Sequence, residues 1–302
     1  MKRLAFTIVV SAAIVTAGAT VVLMAPTTAS THHSAGGTGV QSALPLEYFF
    51  PEQFSKTLTH AEQLTRSFPG TMVRGGVIPH DLLRGEYIAH FFSELSGQQP
   101  ATVVLIGPNH FERGPGHVLT AAESWDTPDG ILKADTATIT RLTELQFVEQ
   151  DAAILQHEHS IAGIVPYIAH YLPGTKLIPI ILKAESTLME LNDLSDFLAS
   201  ALPPDAVVIA SVDFSHYLTA AEAEQHDAIT GSALSNLNYS TILSFGSRFN
   251  DYLDSPPSIA LLLKYLEATG VKNCEILYNT NSGGAIGNTG IPVTSYFEVI
   301  YY

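Results

Sequence analysis

The sequence predicts an α/β fold: a single α/β/α sandwich around a mostly parallel central sheet, preceded by an N-terminal membrane or signal segment. Three observations carry this. Short runs rich in Val and Ile end at Gly or Pro, as buried parallel strands do. Stretches with apolar residues at helical spacing alternate with them. An uncharged apolar run opens the chain.

Lys2 and Arg3 precede residues 4–25, a run of 22 residues without a charge. About 20 suffice to span a hydrocarbon core. Basic residues before the run place the rest of the chain outside the cytoplasm, either secreted or anchored by the run itself. No cysteine stands there to carry a lipid. Residues 26–44 are rich in Thr, Ser, Ala and Gly and read as a flexible linker that includes His32 and His33.

Residues 45–302 read as one globular domain. Strands are expected over 73–78, 102–106, 177–182 and 206–210. The aromatic and β-branched residues 293–302 should form another strand beside 274–278. Helical spacing is plain in 86–95, where Tyr87, Ile88, Phe91, Phe92 and Leu95 share a face. Similar patterns cover 135–145, 161–171, 188–201, 220–237 and 258–269. Residues 281–290 are glycine-rich but no helix pattern follows them, so they read as a loop rather than a phosphate-binding fingerprint.

Composition narrows the function. Lys and Arg number 14 against 29 Asp and Glu, a net charge of −15, which argues against nucleic acid and against a basic patch for anionic lipid. The single cysteine, Cys274, excludes an internal disulfide and any multi-thiolate metal site. Histidines number 12, nearly as many as the permanent cations, so their positions matter.

Three expected strands end in the same chemistry. Residues 73–78 run into Pro79-His80, residues 102–106 into Gly107-Pro108-Asn109-His110, and residues 206–210 into Ser211-Val212-Asp213-Phe214-Ser215-His216. Ligands of open α/β sheets bind beyond the carboxyl ends of parallel strands, so His80, His110, Asp213 and His216 should meet at one edge. A fourth cluster, His157-Glu158-His159-Ser160, stands before the 161–171 helix. Imidazoles with a carboxylate and no thiolates suit Fe(II), Zn(II), Mn(II) or Cu(II), and a histidine left over can serve as acid or base. His60, His90, His117, His170 and His226 sit in helical or loop contexts without visible partners.

At these residues the sequence resembles the Memo-like family, also called AmmeMemoRadiSam system protein B, which shares its fold with class III extradiol dioxygenases. The matching segments are Ile78-Pro79-His80, Gly107-Pro108-Asn109-His110, Trp125-Asp126-Thr127-Pro128-Asp129-Gly130, Glu158-His159-Ser160-Ile161, Ser211-Val212-Asp213-Phe214-Ser215-His216-Tyr217 and Asn281-Ser282-Gly283. The resemblance implies that His80 and His110 are metal ligands and that Asp213 and His216 line the same pocket. In animal members a cysteine opens the segment that here looks like Asp254-Ser255-Pro256-Pro257-Ser258-Ile259, which puts Asp254 at the third ligand position. Asp213 and Glu158 are the other carboxylates that the motifs bring near. Two histidines and a carboxylate would favour Fe(II) over Cu(I). If Asp213 and His216 share the first turn of a helix, Asp213 orients that histidine.

The leading expectation is therefore a metal-dependent oxidoreductase of the dioxygenase type. His80, His110 and Asp254 would hold Fe(II), with Cu or Zn as alternatives; His216 or His159 would act as acid or base on a small-molecule substrate, with Asp213 orienting a histidine. The alternatives are a hydrolase using metal-bound water and a non-catalytic metal- or ligand-binding protein. The family name also implies a radical-SAM partner.

Overall fold

A computed structural model describes residues 43–246, 250–288 and 290–302. The apolar run at 4–25, and His32 and His33, lie outside the described residues. Among the described residues no helix is long and apolar enough to cross a membrane.

The strands, in chain order, are β1 (Gly75–Ile78), β2 (Thr102–Pro108), β3 (Val118–Thr120), β4 (Trp125–Thr127), β5 (Gly130–Ala134), β6 (Val148–Gln150), β7 (Lys176–Leu182), β8 (Val207–Ser211), β9 (Phe214–Leu218), β10 (Cys274–Asn281) and β11 (Val293–Tyr301). They join in one large sheet whose main path runs β10-β11-β1-β8-β2-β7-β3-β6. The four central strands, β1, β8, β2 and β7, are parallel to one another. Both flanks are antiparallel, where β11 pairs with β1 and β10 and where β3 pairs with β7. The expected mostly parallel sheet is thus a mixed one. Residues 282–292 are too few to form a parallel crossover, so β11 returns antiparallel beside β10.

Apolar residues alternate between the two faces of the central strands. Val77, Val104, Ile106, Ile178, Ile180 and Val208 face one core with helices Leu188–Ala201 and Pro256–Ala268. Ile78, Val103, Leu105, Leu177, Ile181 and Ile209 face the other with helices Gly85–Leu95 and Val165–Tyr171. A strand's period of two explains why these runs read as continuously apolar.

Several elements differ from the sequence expectation. Strands β3 to β6 and β9 are short and carry little periodic signal. The glycine-rich 281–290 stretch contains a short helix, Ser282–Ile286, started by the Asn281 side chain accepting from the Gly283 amide. Residues 213–216 do not open a helix; they lead into β9. Leu44, which the composition places in the linker, is 9% exposed and makes an isolated bridge with Trp125. Its amide donates to Ser124 O at 2.7 Å, and its carbonyl accepts from Asp126 N at 2.9 Å. A chain starting at Ala43 should therefore melt like the full chain. One starting at Pro45 should lose about 2–4 kcal/mol, the cost of a buried Leu and two backbone hydrogen bonds, read by thermal unfolding.

His90, which showed no partner in sequence, is buried between elements. Its Nδ1 lies 2.6 Å from Glu298 Oε1 on β11, and its Nε2 donates to Arg66 O at 2.7 Å. Burial pushes the Glu298 carboxyl up to about 7, against the pull of His90. A carboxyl whose folded pKa is raised is at no disadvantage below its unfolded value near 4.5 and loses stability as pH rises toward 7. Glu298→Gln removes that loss. The unfolding free energy of this variant relative to wild type should climb between pH 4.5 and 7, by up to about 3 kcal/mol. A flat difference curve would contradict the assignment.

Candidate metal centre

The parallel register aligns the ends of three strands. Ile78 pairs with Ser211, and Ile106 with Ala210. Two residues beyond β1 stands His80, and two residues beyond β8 stands Asp213. His110 follows β2, on the other side of β8. These side chains leave the sheet at one edge because their strands run in one direction.

His80 is 3% exposed. Its Nδ1 lies 3.1 Å from Ser211 O and donates there, so Nε2 is the atom turned to the carboxylates: protonated beside them without a metal, and the ligand lone pair when an ion replaces that proton. Nε2 lies 3.1 Å from Asp254 Oδ2 and 3.5 Å from Asp213 Oδ2. The backbone amide of His80 donates to Asp213 Oδ1 at 2.9 Å. His110 is held in the same manner by a carboxylate: its Nδ1 lies 2.7 Å from Glu158 Oε1, and its amide donates to Glu158 Oε2 at 2.9 Å. His110 Nε2 is then 3.6 Å from the same Asp254 oxygen. Both histidines thus turn Nε2 toward one carboxylate oxygen while a fixed acceptor holds Nδ1, the usual outer-sphere arrangement of metal-ligating histidines.

Asp254 sits between Leu253, which bridges to Phe214, and the helix Pro256–Ala268. Its amide donates to Asp213 O at 3.1 Å, which fixes its backbone against the end of β8. Its side chain is 2% exposed. Neither carboxylate oxygen has a hydrogen-bond donor among the described residues, although two imidazole nitrogens lie near. His80 Nε2 at 3.1 Å and His110 Nε2 at 3.6 Å stand at ion-pair distance from Oδ2. A buried carboxylate faced only by imidazoles needs a positive charge among them, supplied by a proton or by a metal cation. The donor set, two imidazole nitrogens and a carboxylate oxygen, fits a divalent ion of the Fe(II) or Zn(II) kind.

The electrostatics agree. Burial opposes charge on His80, but Asp213 and Asp254 beside it push the imidazole up to about 10. Burial raises the Asp254 carboxyl, yet His80 and His110 outweigh it and hold the group below the ordinary carboxylate range. Burial wins for Asp213, raised to about 6 despite His80. Two carboxylates around one imidazole call for one positive charge, and a metal ion can replace the proton.

His159 enters from the helix His159–Ala162, started by the Glu158 side chain accepting from the Ser160 amide. Its ring stacks on His110 at 4.2 Å and 21° and meets His80 edge-on at 4.9 Å. Burial, with the neighbouring histidines, pulls it down to about 4, so it is neutral near pH 7. His80, His110 and His159 form one group that could hold an ion, and His80, Asp213 and Asp254 form another. Gly107 permits this packing: a Cβ there would lie 2.4 Å from Ser160 Oγ.

His216 lines the same cavity, of about 410 Å³, as His80, His110, His159, Asp213 and Asp254. Its Nδ1 is buried without a partner, and burial lowers its pKa. The structure therefore brings together all six residues named from the sequence. It changes two expected contacts. Asp213 holds the His80 turn rather than His216, and Glu158 is a hydrogen-bond partner of His110. Tyr48 and Asn250 also line the cavity, from segments without a motif. His117, His157 and His170 pair instead with Glu190, Glu47 and Asp129.

Residues 49–298 match the family model described as Memo-like protein. A MEMO1 family protein of Pyrobaculum aerophilum is 28% identical over 235 residues, covering 76% of this chain and 83% of its own. One from Methanosarcina acetivorans is 29% identical over 249 residues, covering 79% and 91%. A crystal structure of an uncharacterized protein from Escherichia coli K12 covers 75% of this chain and 99% of its own, with a TM-score of 0.50 and 15% identity, and shows likeness of fold.

Proposed function

Since this chain belongs to the Memo-like protein family, we propose that it is a metal-dependent oxidoreductase of the dioxygenase type, acting on a small molecule outside the cytoplasm. The observation that carries the reading is the Asp254 carboxylate, buried without a donor and 3.1 and 3.6 Å from the Nε2 atoms of His80 and His110. These three residues would hold the ion, and Ser211 O and Glu158 fix the tautomers of the histidines. Bound there, Fe(II) would supply one-electron chemistry toward dioxygen. The chain's own part is positional. Asp213 clamps the His80 turn through the backbone amide. His216, neutral and unpartnered, takes a proton from a ligand hydroxyl in the cavity. His159 walls the site by stacking on His110.

The location rests on the basic residues before the apolar run 4–25 and on the near absence of thiols. A second reading, a zinc-type hydrolase, draws on the three-imidazole group of His80, His110 and His159. Oxygen uptake by iron-loaded protein on catechol-type substrates separates the two. Uptake that stops on iron removal is the expected result. No uptake, with ester hydrolysis by the zinc form, would overturn it.

A further inference from the structure

A second cavity, of about 460 Å³, adjoins the first. It is lined by Pro108, Leu182, Ala184 and Glu112 among others, and it shares His110, Tyr217, Asn250 and Asp254 with the histidine-lined one. Neither lining contains a Lys or Arg among the described residues, whereas Asp81, Asp213, Asp254 and Glu112 all contribute. Beyond the metal ligands the described linings offer carboxylates, neutral imidazoles, Asn109, Asn250, Ser255 and Thr294, but no permanent cation to pair with an anionic tail. The apolar wall of Pro108, Leu182 and Ala184 suits an uncharged group.

Tyr217 stands between the two lobes. It is 79% exposed, and its backbone lies in the left-handed region at φ 60°. For a bulky residue this costs about 1–2 kcal/mol. Asn250 opposite is also left-handed, at φ 53°, and its carbonyl accepts from His216 N at 2.9 Å. The pairing of β9 with β11 slips its register here, between Val293 and Ser295. Such irregularities re-aim side chains next to sites. The Tyr217 hydroxyl makes no hydrogen bond among the described residues, and the ring's one aromatic neighbour is His216 at 5.8 Å. Packing therefore does not offset the backbone cost, and held strain at a cavity edge points to use. The buried, donor-free Asp254, which opens on both lobes, marks where a ligand's reacting end would sit.

We propose that the two cavities are one elongated cleft for an uncharged planar ligand, with the Tyr217 ring as the contact face between its lobes. This rests on the metal-site reading above. The test uses the full chain loaded with iron under anaerobic conditions, titrated calorimetrically with 4-methylcatechol and with 3,4-dihydroxybenzoate. Wild type should bind the uncharged probe about tenfold more tightly than the carboxylate. Tyr217→Gly should weaken 4-methylcatechol binding about tenfold, the scale of one aromatic contact, with no fall in melting temperature, because glycine adopts φ 60° freely and relieves the strain. Tyr217→Asn, which also tolerates this backbone, should behave likewise, and Tyr217→Phe should bind like wild type. Equal binding by wild type, Tyr217→Gly and Tyr217→Asn overturns this inference and leaves the metal reading standing. Preference for the carboxylate overturns the ligand class. A wild type that binds neither probe overturns both the inference and the proposed dioxygenase function.

Discussion

His110→Ala should lose divalent-metal affinity by at least about a thousandfold while the metal-free fold melts almost unchanged. Each ligand of a metal site carries several kcal/mol, given about 10–16 kcal/mol for whole structural zinc sites. The side chain of His110 is 22% exposed, and its loss leaves Glu158 still accepting the amides of residues 110 and 160. His80→Ala should lose metal to the same degree and also destabilise the metal-free protein, by about 3–5 kcal/mol. Its ring is the closest cationic partner of Asp254 and Asp213, and removing one partner of a buried charge cluster leaves the others uncompensated. Burial separates the two histidines. Metal titration with thermal unfolding of both metal-free variants checks this; metal affinity unchanged in either variant would contradict it.

Asp254→Ala should weaken metal binding more than Asp213→Ala does. Asp254 Oδ2 is the oxygen that both Nε2 atoms approach. Its loss leaves neutral imidazoles, so affinity should fall by about a thousandfold or more. Asp213 spends Oδ1 on the amides of His80 and Asp81, at 2.9 and 3.4 Å. Its loss loosens a ligand that stays in place, and such outer partners are worth 10–100-fold. Asp254→Cys should restore much of the affinity and shift preference toward softer ions, because thiolate favours Cu(I) and Zn(II) over Fe(II). Competitive titrations of the three variants with Fe(II), Zn(II) and Cu(I) decide it. Equal losses for Asp254→Ala and Asp213→Ala would move the third ligand elsewhere.

The strand-end histidines were legible because a parallel strand shows itself as an apolar run and a Pro or Gly marks where it stops. His80, His110 and Asp213 follow from that alone. Asp254 was reached only through likeness to a family segment, since nothing near it in the chain is periodic toward the site. The partners were not legible. Glu158 reaches His110 across 48 positions, and Ser211 O reaches His80 across 131. Those contacts exist only once β1, β8 and β2 lie in register. The link from Asp213 to His216 failed for a local reason. Spacing of three is a shared face on a helix, but the segment is strand β9, and Asp213 turns to the His80 amide instead. The antiparallel flanks were hidden because β11 is nearly as buried and apolar as the parallel strands and β3 is only three residues long.

Crystals of the full chain, soaked in Fe(II) and measured on both sides of the iron absorption edge, locate the ion directly. An anomalous peak within coordination distance of His80 Nε2, His110 Nε2 and an Asp254 oxygen is the predicted result. A peak bound by His159 and away from Asp254, or no peak in this cavity, would contradict it.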